Sequence, residues 1–330
     1  MKLLVYSLFV FSIIINTQQI NAQSNTNQPK ELGNVKWLRD YDKAIALAKK
    51  EQKDVFILFQ EVPGCSTCRN YGQNVLSNPL MVEAIENSFV PLAIYNNKGG
   101  KDREILNQFN EPTWNNPVVR IINTKGKNVV KRVAGDYSAK TLQKRMVEAL
   151  NSYGKTIPDY LKLLGQELGA TGNSKEKYFK MYCFWTGEKQ LAKVDGVLST
   201  ESGFMNGEVV KVTYDAALVN EEDLESYAKS NSFRPVDKSK TYRPASNDIH
   251  YYLKHTDYKY VPLTELQQTK INSAVGSGKS GDIYLSPKQR EWFSKILQGK
   301  IKKEKNLLNM PFNDAWDYMN KKLSVSIASR

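Results

Sequence analysis

The apolar and polar positions of this chain follow two rhythms, and the switches between them mark out two units. Over residues 37–50 apolar side chains return at helical spacing (Trp37, Tyr41, Ala44, Ile45, Ala48), which predicts a helix. Residues 54–59 follow as a nearly unbroken apolar run, the pattern of a parallel strand buried on both faces. Helices are expected from Cys68 to about Val75 and from Asn78-Pro79 to Ser88, then a strand over 89–95 and a short helix over 104–109. Residues 118–122 and 128–133 flank Lys125-Gly126 as a hairpin, and 138–150 closes the unit as a helix. An amphipathic helix is expected over 157–168. The run Gly169-Ala170-Thr171-Gly172-Asn173-Ser174 then reads as a boundary. In the second unit, strands are expected over 178–185, 197–202 and 207–215. Helices are expected from Glu188 and over 220–230, where Glu221, Glu222 and Asp223 suit the positive end of the helix dipole. Helical patterns resume after Ile271. Trp292, Ile296 and Leu297 share a face over 287–297, and packing is the expected role of that region.

The N-terminus has a different rhythm. Lys2 precedes an apolar run over 3–15, and Ala22 offers a small residue for cleavage, so 1–22 reads as a secretory signal peptide. The run is short for a membrane span, and no cysteine near the cleavage point suggests a lipid anchor. The expectation is an exported protein, periplasmic or extracellular, with no stable membrane span once the signal is removed.

Composition narrows the class. The chain has 330 residues, 41% hydrophobic and 25% charged, which suits two ordinary globular domains and not a disordered chain. The net charge of +13 raises nucleic acid as a partner. The basic residues are scattered, however, and the densest cluster, 300–305, is expected on a terminal helix as a solvated face. No nucleic-acid partner is expected.

The cysteines change the picture most. There are three: Cys65, Cys68 and Cys183. Structural disulfides in an exported protein would usually need a larger even set, so a close pair plus a distant single thiol suggests redox chemistry. Cys65 should sit at a helix start, where unpaired N–H groups favour a thiolate, with Cys68 one turn on. A plain disulfide and half a zinc site are the rivals. With no second Cys-x-x-Cys and no histidine nearby, a metal is not expected, and neither is an organic cofactor.

The order strand, Cys-x-x-Cys, helix, then Pro117 before a hairpin and a closing helix resembles the thioredoxin family over residues 34–153. The resemblance implies that Cys65 and Cys68 form a redox-active pair and that Pro117 is the cis-proline shaping the substrate groove. Val62-Pro63-Gly64-Cys65-Ser66-Thr67-Cys68 departs from the usual Trp-Cys-Gly-Pro-Cys and looks like the family's V-P-G-C-x-T-C branch.

Cys183 is followed by Phe184 and Trp185, which could wall an apolar pocket the size of a methyl thioether. The plainer alternative is a buried strand cysteine. Cys183-Phe184-Trp185, Gly196-Val197 with Thr200, Gly203-Phe204, Gly207-Glu208 with Val210, Tyr214-Asp215 and Tyr260 with Pro262-Leu263-Thr264 stand in an order that resembles A-type peptide methionine sulfoxide reductases, over about 178–268. That resemblance implies an oxidoreductase acting on peptide methionine (S)-S-oxide. Cys183 would be the nucleophile, with Phe184 and Trp185 as the wall for the substrate methyl. Glu208 would be the proton donor, its pKa raised by burial, and Asp248 and Tyr252 would contribute to substrate binding. Departures are Tyr182 and Thr186 in place of glycines, Asn206-Gly207 before Glu208, and no insertion between Phe204 and Glu208 to supply a tyrosine.

The combined expectation is an α/β chain: signal peptide 1–22, thioredoxin-like domain 34–153, helical linker 154–177, and an α+β, ferredoxin-like reductase domain with a helical C-terminal extension over 178–330. Oxidised methionine in peptides or proteins would be reduced at Cys183, and the fused pair would re-reduce the thiol, fed by an upstream thiol–disulfide reductant. A flexible stretch over 169–174 would hold the two thiols at an effective concentration of roughly millimolar. The alternative is a thiol–disulfide oxidoreductase whose second domain only binds.

Overall fold

The computed structural model describes residues 28–328, so the expected signal peptide lies outside the described residues. No helix among the described residues is long and apolar enough to cross a membrane.

The first sheet is built from β1 (Asp54–Gln60), β2 (Phe89–Tyr95), β3 (Val118–Ile122) and β4 (Val133–Ala134), in the order β2-β1-β3-β4. Every residue of β1 is buried, as its apolar run requires. It pairs parallel with β2 and antiparallel with β3. The helices are α1 (Tyr41–Glu51), α2 (Ser66–Asn74), α3 (Pro79–Ser88), α4 (Lys101–Gln108) and α5 (Ala139–Asn151). The Asp40 side chain accepts the Lys43 N–H and starts α1 there, so Trp37 lies outside the helix, with its indole on the Leu32 carbonyl. The hairpin's return strand is only two residues long. In residues 128–132 only Val129 and Val130 pack against the core, Asn128 and Lys131 are exposed, and Arg132 joins Arg120 at the buried Glu111 carboxylate, at 2.8 and 2.6 Å.

After α6 (Asp159–Gly169) a three-residue turn leads into the second sheet. This sheet contains β5 (Ser174–Lys180), β6 (Val197–Phe204), β7 (Glu208–Asp215), β8 (Arg234–Val236) and β9 (Arg243–Pro244), ordered β8-β5-β7-β6-β9 and antiparallel throughout. With α7 (Phe184–Leu191) and α8 (Glu221–Ser230), the order β5-α7-β6-β7-α8-β8 is the ferredoxin-like β-α-β-β-α-β unit. The strand expected to reach residue 185 stops at Lys180, so Cys183 is not a strand residue.

Four helices complete the chain: α9 (Tyr251–Lys254), α10 (Glu265–Gly276), α11 (Pro287–Leu297) and α12 (Phe312–Ala328). Reciprocal capping boxes, Thr264 with Gln267 and Ser286 with Gln289, start α10 and α11. Gly299, in the left-handed region at φ 70°, follows the end of α11, so the lysine cluster at 300–305 lies in a loop and not on a helix.

The main hydrophobic core runs from Leu32 to Met319. It joins one face of the first sheet and α3, α5 and α6 to the C-terminal helices. Trp292 is fully buried, 4.7 Å from the Trp316 ring. The Lys288 N–H donates to Glu83 of α3 at 2.8 Å, and the Leu266 N–H to Glu167 of α6 at 3.2 Å. The C-terminal helices therefore pack on the first unit's core, and α10 bridges to the second.

Candidate active sites

β1 delivers the chain into the first site. Cys65 is the N-cap of α2, with extended backbone and an exposed thiol. The Cys68 N–H aimed at its sulfur, with a lesser contribution from that of Thr67, draws the Cys65 pKa below the ordinary thiol value. Cys68 is buried. That burial, reinforced by the neighbouring Cys65 sulfur, pushes its pKa up to about 12. The sulfurs stand 3.6 Å apart, unbonded, so the pair is a dithiol. The Cys68 thiol donates to Asn116 Oδ1 at 2.7 Å, and the Asn116–Pro117 peptide is cis. The Gln60 amide donates to the carbonyls of Cys68 and Glu31, and the Gly64 N–H donates to the Glu31 carboxylate. The motif marks the two sulfurs. Asn116, beside Pro117 but 48 residues from Cys68, escaped the sequence reading because the fold alone places it.

The second site is built on the start of α7. Cys183 is its N-cap and is half-buried, which corrects the buried strand cysteine. The first free N–H of the helix, that of Phe184, donates to Glu208 Oε2 at 2.7 Å. Glu208 opens β7 and is half-buried. The Phe184 ring meets Phe204 edge-on at 5.4 Å. Trp185 donates its indole N–H to Asp248 at 3.1 Å and stacks on Tyr251 at 3.9 Å. Tyr252 packs edge-on against Tyr251. Its hydroxyl pKa is raised first by burial and then by the nearby Cys183 sulfur. The fold thus gathers Cys183, Phe184, Trp185, Glu208, Asp248 and Tyr252 and adds Tyr251 and Phe204. Tyr182 is fully exposed beside the thiol.

Three supporting groups, Glu188 on α7 and His250 and Lys270 packed around it, had no sequence signal, because a polar residue type does not announce its burial. Glu188 is completely buried, accepting N–H bonds from Ser202 at 3.1 Å and His250 at 2.9 Å, and burial pushes its pKa up to about 8. His250 is buried, and this pushes its pKa down to about 4. Lys270 of α10 donates to the carbonyls of Ala192 and Val194, capping the far end of α7, and burial lowers its pKa to about 8.

The stretch expected as a flexible tether is a tight turn, in which the Asn173 N–H bonds to Ala170 O at 3.0 Å and the Ala216 N–H to Asn173 O at 3.0 Å. From there the seven residues of β5 carry the chain about 20 Å before Cys183 is reached.

A dithiol at one helix start and a lone thiol with a carboxylate and aromatic wall at another define a two-centre thiol protein. Residues 36–124 match the family model described as thioredoxin-like, and residues 175–226 match that of peptide methionine sulfoxide reductase, so the chain joins two such domains. It is similar to the peptide methionine sulfoxide reductase MsrA of Methanococcus maripaludis strain C7, at 37% identity over 16% of this chain and 45% of the relative. The strain C6 protein of the same description is 45% identical over 13% of this chain and 27% of the relative. The chain spans less than half the length of these curated relatives. Among solved structures, a thioredoxin from Thermus thermophilus matches at 21% identity over 36% of this chain and 90% of that one, with a TM-score of 0.32. A structure described as DsbH Oxidoreductase matches at 15% identity over 39% and 94%, also at 0.32.

Proposed function

We propose that this protein is an exported methionine sulfoxide reductase in which Cys183 reduces peptide methionine (S)-S-oxide and the Cys65–Cys68 pair restores the thiol. The observation that carries this reading is the Phe184 N–H to Glu208 bond of 2.7 Å. It sets a carboxylate at the residue following the candidate nucleophile, beside an aromatic wall. Cys183 attacks the sulfoxide sulfur while Glu208 passes a proton to the oxygen. The protonated oxygen leaves the substrate sulfur and bonds to Cys183 Sγ, so the thioether departs and Cys183 is left as a sulfenic acid. Phe184 and Trp185 hold the methyl group, with Trp185 fixed by Asp248 and Tyr251, and Tyr252 faces the sulfur. A thiol then displaces water from the sulfenic acid to form a disulfide, and a second thiol releases Cys183. The low-pKa, exposed Cys65 suits the first of these attacks and Cys68, one turn on, the second. Pro117 borders the groove where the partner sulfur docks. The electrons come from an upstream thiol–disulfide reductant, export rests on the signal-like 1–22, and 62–68 is assigned to the V-P-G-C-x-T-C branch. The test is turnover of a methionine sulfoxide dipeptide by the purified mature protein with a chemical dithiol. No turnover by correctly folded protein would leave the second domain as a binding module.

A further inference from the structure

Neither a second cysteine pair nor a histidine lies near Cys65 and Cys68 in the sequence. The fold supplies a different third donor. A carboxylate oxygen of Glu61 and the sulfurs of Cys65 and Cys68 all lie within 4.8 Å of one another. The sulfurs are 3.6 Å apart, close to the separation of about 3.8 Å that two thiolates take on tetrahedral zinc with bonds of about 2.3 Å. The mouth is open, because Cys65 is exposed, Glu61 half-buried and only Cys68 enclosed. Glu31, whose carboxylate accepts the Gly64 N–H at 2.9 Å, adds negative charge nearby.

We propose that the reduced pair, together with Glu61, is a redox-gated site for a thiophilic divalent cation of the zinc type, with water as the fourth ligand. Binding makes two metal–sulfur bonds and one metal–oxygen bond and releases the two thiol protons. No electrons move. The Asn116 side chain, which now accepts the Cys68 thiol proton, rotates its amide to offer an N–H to the thiolate that replaces it. Oxidation to the disulfide closes the sulfurs to about 2.0 Å and uses up both thiolates, so the oxidised protein has no site. The bound cation blocks thiol–disulfide exchange reversibly and shields the pair from over-oxidation. None of this depends on the sulfoxide reading.

The test uses the full mature chain, reduced, titrated anaerobically with Co2+ as a spectroscopic stand-in for Zn2+ and then with Zn2+ against a chromophoric chelator. The expected result is one Co2+ per chain, with sulfur-to-metal charge-transfer and tetrahedral visible bands. Both should be absent after oxidation and in Cys65→Ser. Glu61→Gln should weaken Zn2+ binding by at least the roughly tenfold that loss of even an outer hydrogen bond costs a metal site. The exposed Glu104→Gln should bind like the wild type. Unchanged affinity in Glu61→Gln, octahedral bands, or equal binding by the oxidised protein would each overturn the site. Failure of sulfoxide turnover would leave it untouched.

Discussion

Cys65 and Cys183 occupy the same backbone position, the N-cap of a short helix, and their surroundings make them different reagents. At α2 the N–H groups of Cys68 and Thr67 favour the thiolate of the capping sulfur, which stays exposed and has a second thiol one turn on. At α7 the first N–H is taken by the Glu208 carboxylate, and the sulfur is half-buried beside Phe184, Trp185 and Tyr252. The first arrangement suits exchange with another sulfur, where a good thiolate and a ready resolving partner are enough. The second suits a substrate whose oxygen must be protonated as the bond breaks, because a carboxyl group and an apolar wall flank the thiol. A helix start therefore offers a position, and the side chains brought to it from elsewhere decide the chemistry.

Swapping the thiols is the hardest test of this comparison. Cys183→Ser should abolish sulfoxide reduction even with excess dithiol, whereas Cys65→Ser should keep the dithiol-driven rate. A dipeptide turnover assay on both variants decides it, and ordinary turnover by Cys183→Ser would end the assignment. The carboxylate is next. Glu208→Gln keeps the shape but not the acid, and kcat should fall about 10²–10⁴-fold at neutral pH. A loss below about tenfold, less than general acid catalysis usually contributes, would point to Tyr252 or Asp248 as the donor.

The route between the sites gives a smaller, graded effect. The turn at 170–173 and the shared core leave no loose tether between the two units, so the encounter of Cys65 with Cys183 is expected between chains. Cys68→Ser, treated with a sulfoxide substrate, should accumulate Cys65–Cys183 bridges between chains, in a yield that rises with protein concentration. Non-reducing electrophoresis with peptide mapping reads this. A bridge formed within one chain, independent of concentration, would show instead that the two thiols of one chain reach each other during turnover.

The smallest effect lies behind α7. Glu188 has a folded pKa of about 8 against an unfolded value of 4.5, so the folded state holds its proton more tightly. Its contribution is complete below the unfolded value and is lost as pH rises through about 8. His250, lowered to about 4, acts in the other direction: its contribution is present above 6.5 and is lost on acidification. Between about pH 6.5 and 8 the Glu188 effect stands apart, and wild-type Tm should decline there more steeply than that of Glu188→Gln. Equal slopes would mean that Glu188 is already ionised in the folded protein.

What the chain settled by itself was local. The apolar run of β1, the spacing of Cys65 and Cys68 and the aromatics after Cys183 each act over a few residues, and each is legible without a fold. Most element boundaries followed from them. The end of β5 did not, because apolar residues run on from Met181 to Trp185, through the break between strand and helix. Only the tertiary structure decided which distant groups meet: Asn116 at Cys68, Glu61 beside the pair, Asp248 and Tyr251 on Trp185, and Lys270 and Glu188 around α7. It also decided that the C-terminal helices belong to the first core and that 169–174 is a turn and not a tether. The physical reason is the same in each case. A polar side chain is read from sequence as solvated, and only the packing of other elements over it removes the water, leaving the hydrogen bonds and charges that make it a site.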